Sequence, residues 1–285
     1  MKKLHLNAIL MEILTALLLL VFFIPFGLIL LNAAKDSSAI INDPLGLPSN
    51  VWLFFTNVKT IFTNSYMNYF SSFINSIVIT SLSIACIGVF SGMAAWVLVR
   101  TKTKYSFWIF MIFISGMVIP FQVVMLPLVQ LLNTISHLFH IQVSDSYIAV
   151  ILVYIGFGAP LSIFMFHGFI KSIPIDIEEA AILDGCTKSQ LFFKIILPIL
   201  KPIFVTLLVL NGMWIWNDYL LPVLVIGMNG KIRTLPLAVA NLAGSYVRQW
   251  DLILTAVVLA ALPVIVLFLF AQKHIIKGMT SGAIK

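Results

Sequence analysis

Four of the ten acidic residues, Asp176, Glu178, Glu179 and Asp184, fall between positions 176 and 184 of a 285-residue chain whose charged fraction is only 9%. Their spacing describes a helix start rather than a cluster of catalytic groups. Pro174 stops any preceding helix, since it lacks an N–H and clashes with the turn before it. Asp176 as N-cap, with Glu179 three residues on, has capping-box spacing, and acidic side chains suit the positive end of the helix dipole. Ile177, Ala180, Ala181 and Asp184 recur on one helical face. Gly185 follows as a left-handed stop. Thr187 and Gln190 repeat the capping spacing and open a second helix, from Lys188 to about Leu197, which Pro198 and Pro202 hand over to the next apolar run. Small alanines beside a sharp turn admit a partner backbone closely. The expected chemistry is protein docking; an ordinary helical loop is the plain alternative.

Few other residues offer chemistry. Ionisable groups at membrane depth are expensive and point to function. Asp218 lies near the outer end of the fifth apolar run, beside Asn217, with Asn211 about two turns below. Asp218 has two open roles, lining a polar path for a hydroxylated solute or snorkelling to the outer interface. Trp214, Trp216 and Tyr219 suit either sugar stacking or an interfacial aromatic belt. His167, near the inner end of the fourth run, reads as an interfacial histidine. No G-x-x-x-x-G-K-[ST] loop occurs, so ATP-driven work needs a separate chain. No cofactor or metal is expected on this one. Cys86 lies in an apolar run and Cys186 in the polar loop, which implies no disulfide framework.

The elements that position these residues are membrane spans. The chain is 61% hydrophobic and only 9% charged, against about 25% charged in soluble domains. A span needs about 20 mainly apolar residues. Six runs qualify: about 12–32, 72–99, 106–132, 146–170, 200–222 and 250–271. The first is too long for a leader's apolar core of about 7–15 residues, and is read as a retained span; cleavage after Ala34 is the alternative. Prolines 25, 120, 127, 160 and 263 are read as tolerated within these helices. Five of the 17 basic residues (Lys35, Lys59, Lys231, Arg233 and Arg248) fall on one set of loops and the rest on the other. The positive-inside rule therefore places both termini and the Glu179 loop in the cytoplasm. Net charge +7 is spread over span ends and does not suggest nucleic acid. The outer segment 33–71 is too polar for lipid. The last outer segment has a turn signal at Asn229-Gly230, and its apolar flanks suggest that it folds back onto the bundle.

Glu179-Ala180-Ala181, Asp184-Gly185, Ile196-Leu197-Pro198 and Pro202 resemble the EAA signature of the membrane subunits of binding-protein-dependent ABC importers. Cys186 stands where Ala is usual. Asn75-Ser76, Ala94-Ala95-Trp96 with Arg100, Ile119-Pro120-Phe121-Gln122, Leu126-Pro127, the stretch 216–222 and the tail 277–283 resemble the carbohydrate-uptake, maltose-type members, from about Tyr69 to the end. Trp96 replaces a more usual Tyr. The resemblance implies an all-α polytopic permease with six transmembrane helices and a cytoplasmic coupling-helix loop. Residues 1–71 form a first span and outer loop, 72–271 a five-helix core with coupling loop 172–198, and 272–285 a cytoplasmic tail. Glu178, Glu179, Ala180, Ala181, Asp184 and Gly185 would couple to the ATPase; Asn211, Trp214, Asn217 and Asp218 are possible path residues. Implied partners are a second permease chain, two ATPase subunits carrying ATP and Mg, and an outer solute-binding protein. A non-sugar solute is the alternative cargo. An ion-coupled secondary transporter fits poorly, with no internal repeat or central carboxylate. So does a membrane enzyme, with no nucleophile or His/Asp/Glu cluster in any span.

Overall fold

The computed structural model describes residues 2–65, 67–140, 142–228, 230–245 and 249–283, with side chains for all of these except 2–7, 244, 245, 271 and 273–283. Asn229 of the turn signal, Arg248 of the charge count and the side chains of the tail motif lie outside the described residues. Every described element is a helix. Two compact units emerge, Met1–Phe70 with Ala238–Leu262, and Ser71–Leu237 with Pro263–Lys285.

In the first unit, α1 (Lys2–Ala33) is one apolar helix with Pro25 inside it, and its apolar window has no buried residue. Its carbonyl end needs hydrogen-bond partners. The Asn57 amide and the Thr255 hydroxyl both donate to the Ala33 carbonyl, at 3.4 and 3.2 Å. Asp36 caps α2 (Ser37–Asn42) by accepting from the Ala39 N–H at 2.9 Å. The Ser38 hydroxyl and the Ala39 N–H hold the Asp36 carboxyl below its usual range. Buried Lys35 donates to the Asp43 carbonyl at 2.7 Å, and α3 (Leu53–Thr63) completes the segment. The polar segment 33–71 is thus folded by its own hydrogen bonds.

The remaining helices are α4 (Tyr69–Arg100), α5 (Lys104–Gly116), α6 (Phe121–Phe139), α7 (Tyr147–Ile170), α8 (Asp176–Leu183), α9 (Lys188–Gln190), a π-helical turn Leu191–Ile196, α10 (Leu197–Ile199), α11 (Lys201–Asn217), α12 (Leu220–Val225), α13 (Leu235–Ser245) and α14 (Trp250–Ala283). Among them α1, α4, α6, α7 and α14 are long and apolar enough to cross a bilayer. A sixth candidate is a bent pair: Lys188–Ile199 and Lys201–Asn217 pass the same test together and meet at 74°.

Two expectations change here. The third run is divided, because Pro120 adopts an extended conformation (φ −64°, ψ 137°) and starts α6 instead of sitting inside a helix. With 13 residues, α5 rises only about 20 Å. The bend before α11 follows from Pro198 and Pro202. Neither has an N–H to give, so the Lys194 carbonyl loses its usual donor and the helix widens to the π register.

Lipid offers no hydrophobic reward for helix contact, so close packing must hold the second unit together. One cluster gathers around Tyr154 with Ile79, Ile87, Val150, Ile215 and Leu221. The other surrounds Phe166 and Phe192 with Ala95, Ile163, Ile170, Ala181, Ile196 and Leu207. Gly158 of α7 permits the first, since a Cβ there would come 2.6 Å from Ile87 and 3.1 Å from the Asn211 Oδ1. The segment after α12 does fold back: Leu235 donates its N–H to the Ser76 hydroxyl at 2.7 Å, Asn75 reaches the Arg233 carbonyl at 3.1 Å, and Asp145 accepts from the Lys231 and Ile232 N–H groups at 2.9 and 3.1 Å.

Candidate functional site

The expected Asp176–Glu179 capping box does not form. Ile175 holds the cap position in a helical conformation (φ −68°, ψ −27°), with no side-chain cap, and a side-chain cap needs extended backbone there. Asp176 becomes the first helical residue, and Asp176, Glu178 and Glu179 all occupy the first turn, where the dipole favours them. The far end of α8 behaves as its sequence suggests. Gly185 takes φ +85°, the Cys186 N–H bonds the Ala181 carbonyl and the Gly185 N–H bonds the Ile182 carbonyl, both at 3.0 Å. These two bonds make a Schellman stop. Thr187 and Gln190 then form a reciprocal box, at 2.9 Å from the Thr187 N–H and 3.3 Å from the Gln190 N–H.

Glu178 is 5% exposed. Its Oε1 accepts from Arg100 Nε at 2.8 Å and pairs with Nη2 at 2.7 Å, and its Oε2 accepts from the Trp96 indole N–H at 3.0 Å. Arg100 Nη2 also donates to the Ile173 carbonyl at 3.1 Å. Both carboxylate oxygens are occupied and the guanidinium is paired on two sides, as a buried charge requires. Ala181 is buried as well and packs into the Phe166–Phe192 cluster.

The six expected coupling residues therefore divide. Glu178 and Ala181 face the body of the unit, whereas Glu179, Ala180, Asp184 and Gly185 are exposed. The single face drawn through Ile177, Ala180, Ala181 and Asp184 is corrected at Ala181. Exposed Ile177, Ile182 and Leu183, the last 88% exposed, flank the acidic positions. The outer surface of α8 is an apolar ridge edged with carboxylates, anchored from beneath.

The four path candidates divide too. Asn211, 4% exposed, donates to the Ser162 hydroxyl at 3.2 Å and the Leu207 carbonyl at 3.1 Å, tying α11 to α7. Asp218 accepts from the Tyr154 hydroxyl at 3.1 Å and from the Leu220 N–H at 2.9 Å, capping α12. Trp214 is 40% exposed and lies edge-on to Tyr154, with centroids 5.5 Å apart. Asn217 is exposed and bonds only its own helix, at the Met213 carbonyl, among the described residues. Trp216 is buried against Phe73.

Residues 84–281 match the family described as binding-protein-dependent transport system inner membrane component. The chain belongs to this family. A probable starch degradation products transport system permease protein of Thermoanaerobacterium thermosulfurigenes is 39% identical to this permease over 285 residues, covering all of both chains. A multiple sugar-binding transport system permease protein of Streptococcus mutans is 30% identical, covering 93% of each. The fold is that of a chain in the crystal structure of a bacterial ABC transporter importing the acidic polysaccharide alginate, with TM-score 0.71, 19% identity, and 94% of this chain and 96% of that one covered.

Sequence reasoning missed Trp96 and Arg100 as partners of the coupling segment. A signal existed. They stand four apart and so share a helix face, Arg is the cation suited to bidentate carboxylate pairing, and the loop carries more carboxylates than its exposed ridge needs. His167, expected at the interface, is buried and stacks on Phe110 with centroids 3.7 Å apart.

Proposed function

We propose that this multi-pass permease serves an ATP-driven, binding-protein-dependent importer for a sugar or oligosaccharide, and that the ATPase drives it through α8. The observation that carries the coupling role is the α8 ridge, exposed on its outer surface and fixed beneath by a buried ion pair to α4. A rigid lever needs both. Sugar as cargo is supported by the relatives, whose names describe starch products and multiple sugars.

On this reading the ATPase, with ATP and Mg, is a separate pair of cytoplasmic subunits, no cofactor sits on this chain, and a second permease chain completes the path. An outer solute-binding protein delivers the solute. Both termini and α8 face the cytoplasm. The bias of basic residues supports this, and the Arg100–Glu178 pair agrees with it by setting the end of α4 and the start of α8 on one face. Residues 72–271 form the permease core. Glu179, Ala180, Asp184 and Gly185 meet the ATPase, and Glu178 and Ala181 hold α8 in place for them. Movement of α8 passes into α4 through Glu178 and into α11 through the π turn, a two-state rearrangement that opens the path to one side at a time. Trp214 and Asn217 are the path candidates with surface to offer a solute.

Uptake into proteoliposomes holding the purified complex tests the reading. Import must require ATP inside and the binding protein outside, and must survive an uncoupler. Uptake that an uncoupler abolishes while ATP is maintained removes the proposal.

A further inference from the structure

A pocket of about 340 Å³ lies where α4 ends, α5 begins and α7 ends. Leu98, Phe107 and Phe110 supply apolar wall, and exposed Lys102 and Lys171 supply charge. None of its lining residues is acidic; the nearby carboxylate of Glu178 is already taken by Arg100. Thr103 and Ser106 are spent on local bonds, the first accepting from the Ser106 N–H at 3.2 Å and the second donating to the Leu98 carbonyl at 2.7 Å. His167 is different. It is 9% exposed, lines the pocket, and its ring has no hydrogen-bond partner among the described residues. Stacking on Phe110, with planes 18° apart, fixes the ring. An oriented imidazole that lines a pocket and spends no N–H on the protein can offer one to a polar ligand.

Two ammonium groups, an imidazole and the Thr101 hydroxyl, which has no hydrogen-bond partner among the described residues, select an anion, and the apolar wall selects one that carries hydrocarbon. Basic pockets between helices at the cytoplasmic face suit anionic lipid headgroups. We propose that this pocket binds the phosphate of an anionic phospholipid from the inner leaflet. The choice of leaflet rests on the orientation proposed above; the pocket's chemistry does not. The bound headgroup would brace the end of α4 beside Arg100, and so beside the attachment of α8.

The test follows thermal melting of the purified complex, with its partner subunits, in neutral detergent. The probes are short-chain phosphatidylglycerol, phosphatidylcholine of the same chain length, and inorganic phosphate. Phosphatidylglycerol is expected to raise the melting temperature saturably, and the other two to do so weakly or not at all. Each interfacial lysine weighs enough that Lys102→Gln/Lys171→Gln should bind phosphatidylglycerol about thirtyfold more weakly. Should the double variant fail to purify, each single variant should bind about fivefold more weakly. Lys188→Gln/Lys194→Gln, exposed on α9 and the π turn, should bind as the parent does. An equal response to phosphatidylcholine, an equal loss in the control pair, or unchanged affinity in the Lys102 and Lys171 variants overturns the proposal. Full stabilisation by phosphate alone overturns the lipid assignment in favour of a free-anion site. Melting needs no transport, so failure here is distinct from failure of the import reading.

Discussion

Glu178 and Arg100 stand 78 positions apart in the chain and 2.7 Å apart in space. The pair fastens the first turn of α8 to the last turn of α4, with Trp96 closing the second carboxylate oxygen. A docking helix on a loose loop would absorb a push; one pinned at its base hands the push to a span.

Removing one partner of a buried pair strands the other charge. Glu178→Gln and Arg100→Gln are each expected to cost on the order of 3 kcal/mol, read from thermal or denaturant melting of the purified complex. The double variant should lose clearly less than the two losses combined. Strict additivity would mean that the pair is not coupled.

A Cβ at Gly185 would meet nothing within 4 Å, so the constraint there is the backbone at φ +85° and not space. Gly185→Val should cost about 1–2 kcal/mol locally, leaving the protein inserted but its uptake strongly reduced. Gly185→Asn, which tolerates this conformation, should retain most uptake. Equal uptake in both variants would show that the elbow's geometry does not matter.

Glu179 is exposed and bonds nothing that Glu178 bonds. Glu179→Lys should therefore leave melting within about 1 kcal/mol, the usual weight of a charge at a helix end, while recovery of the ATPase in co-purification falls several-fold. Undiminished recovery would take Glu179 out of the interface.

The path candidates should separate by readout. Asn211→Ala and Asp218→Ala should both lower the melting temperature, the second through a stability loss of about 1 kcal/mol as a helix cap goes. Trp214→Ala and Asn217→Ala should instead raise the KM for uptake with melting little changed. Asp218→Asn keeps a cap acceptor and should transport nearly as the parent does. A large uptake defect in Asp218→Asn would place that carboxylate on the path.

Much of this architecture was legible because long apolar runs leave little choice in lipid, where only helices satisfy their own backbone. The glycine stop and the Thr187–Gln190 box were legible for the same local reason: each is written within a few residues. Pro120 was not, since a proline in an apolar run kinks a helix or ends it depending on what packs around it. The cap at Asp176 failed because the turn leaving α7 already sets Ile175 in a helical conformation. The inward turn of Glu178 depends on partners in α4, a distance along the chain that periodicity does not report. Neighbouring Glu178 and Glu179 look alike in sequence; only the fold gives one to the lever's anchor and the other to its contact surface.

The most direct measurement is ATP hydrolysed per solute imported in proteoliposomes, comparing the parent complex with Glu178→Gln in preparations that assemble equally. A lever pinned by Glu178 predicts that hydrolysis persists, still stimulated by the binding protein, while the ratio rises several-fold. An unchanged ratio, with hydrolysis and uptake falling together or not at all, would contradict transmission through this anchor.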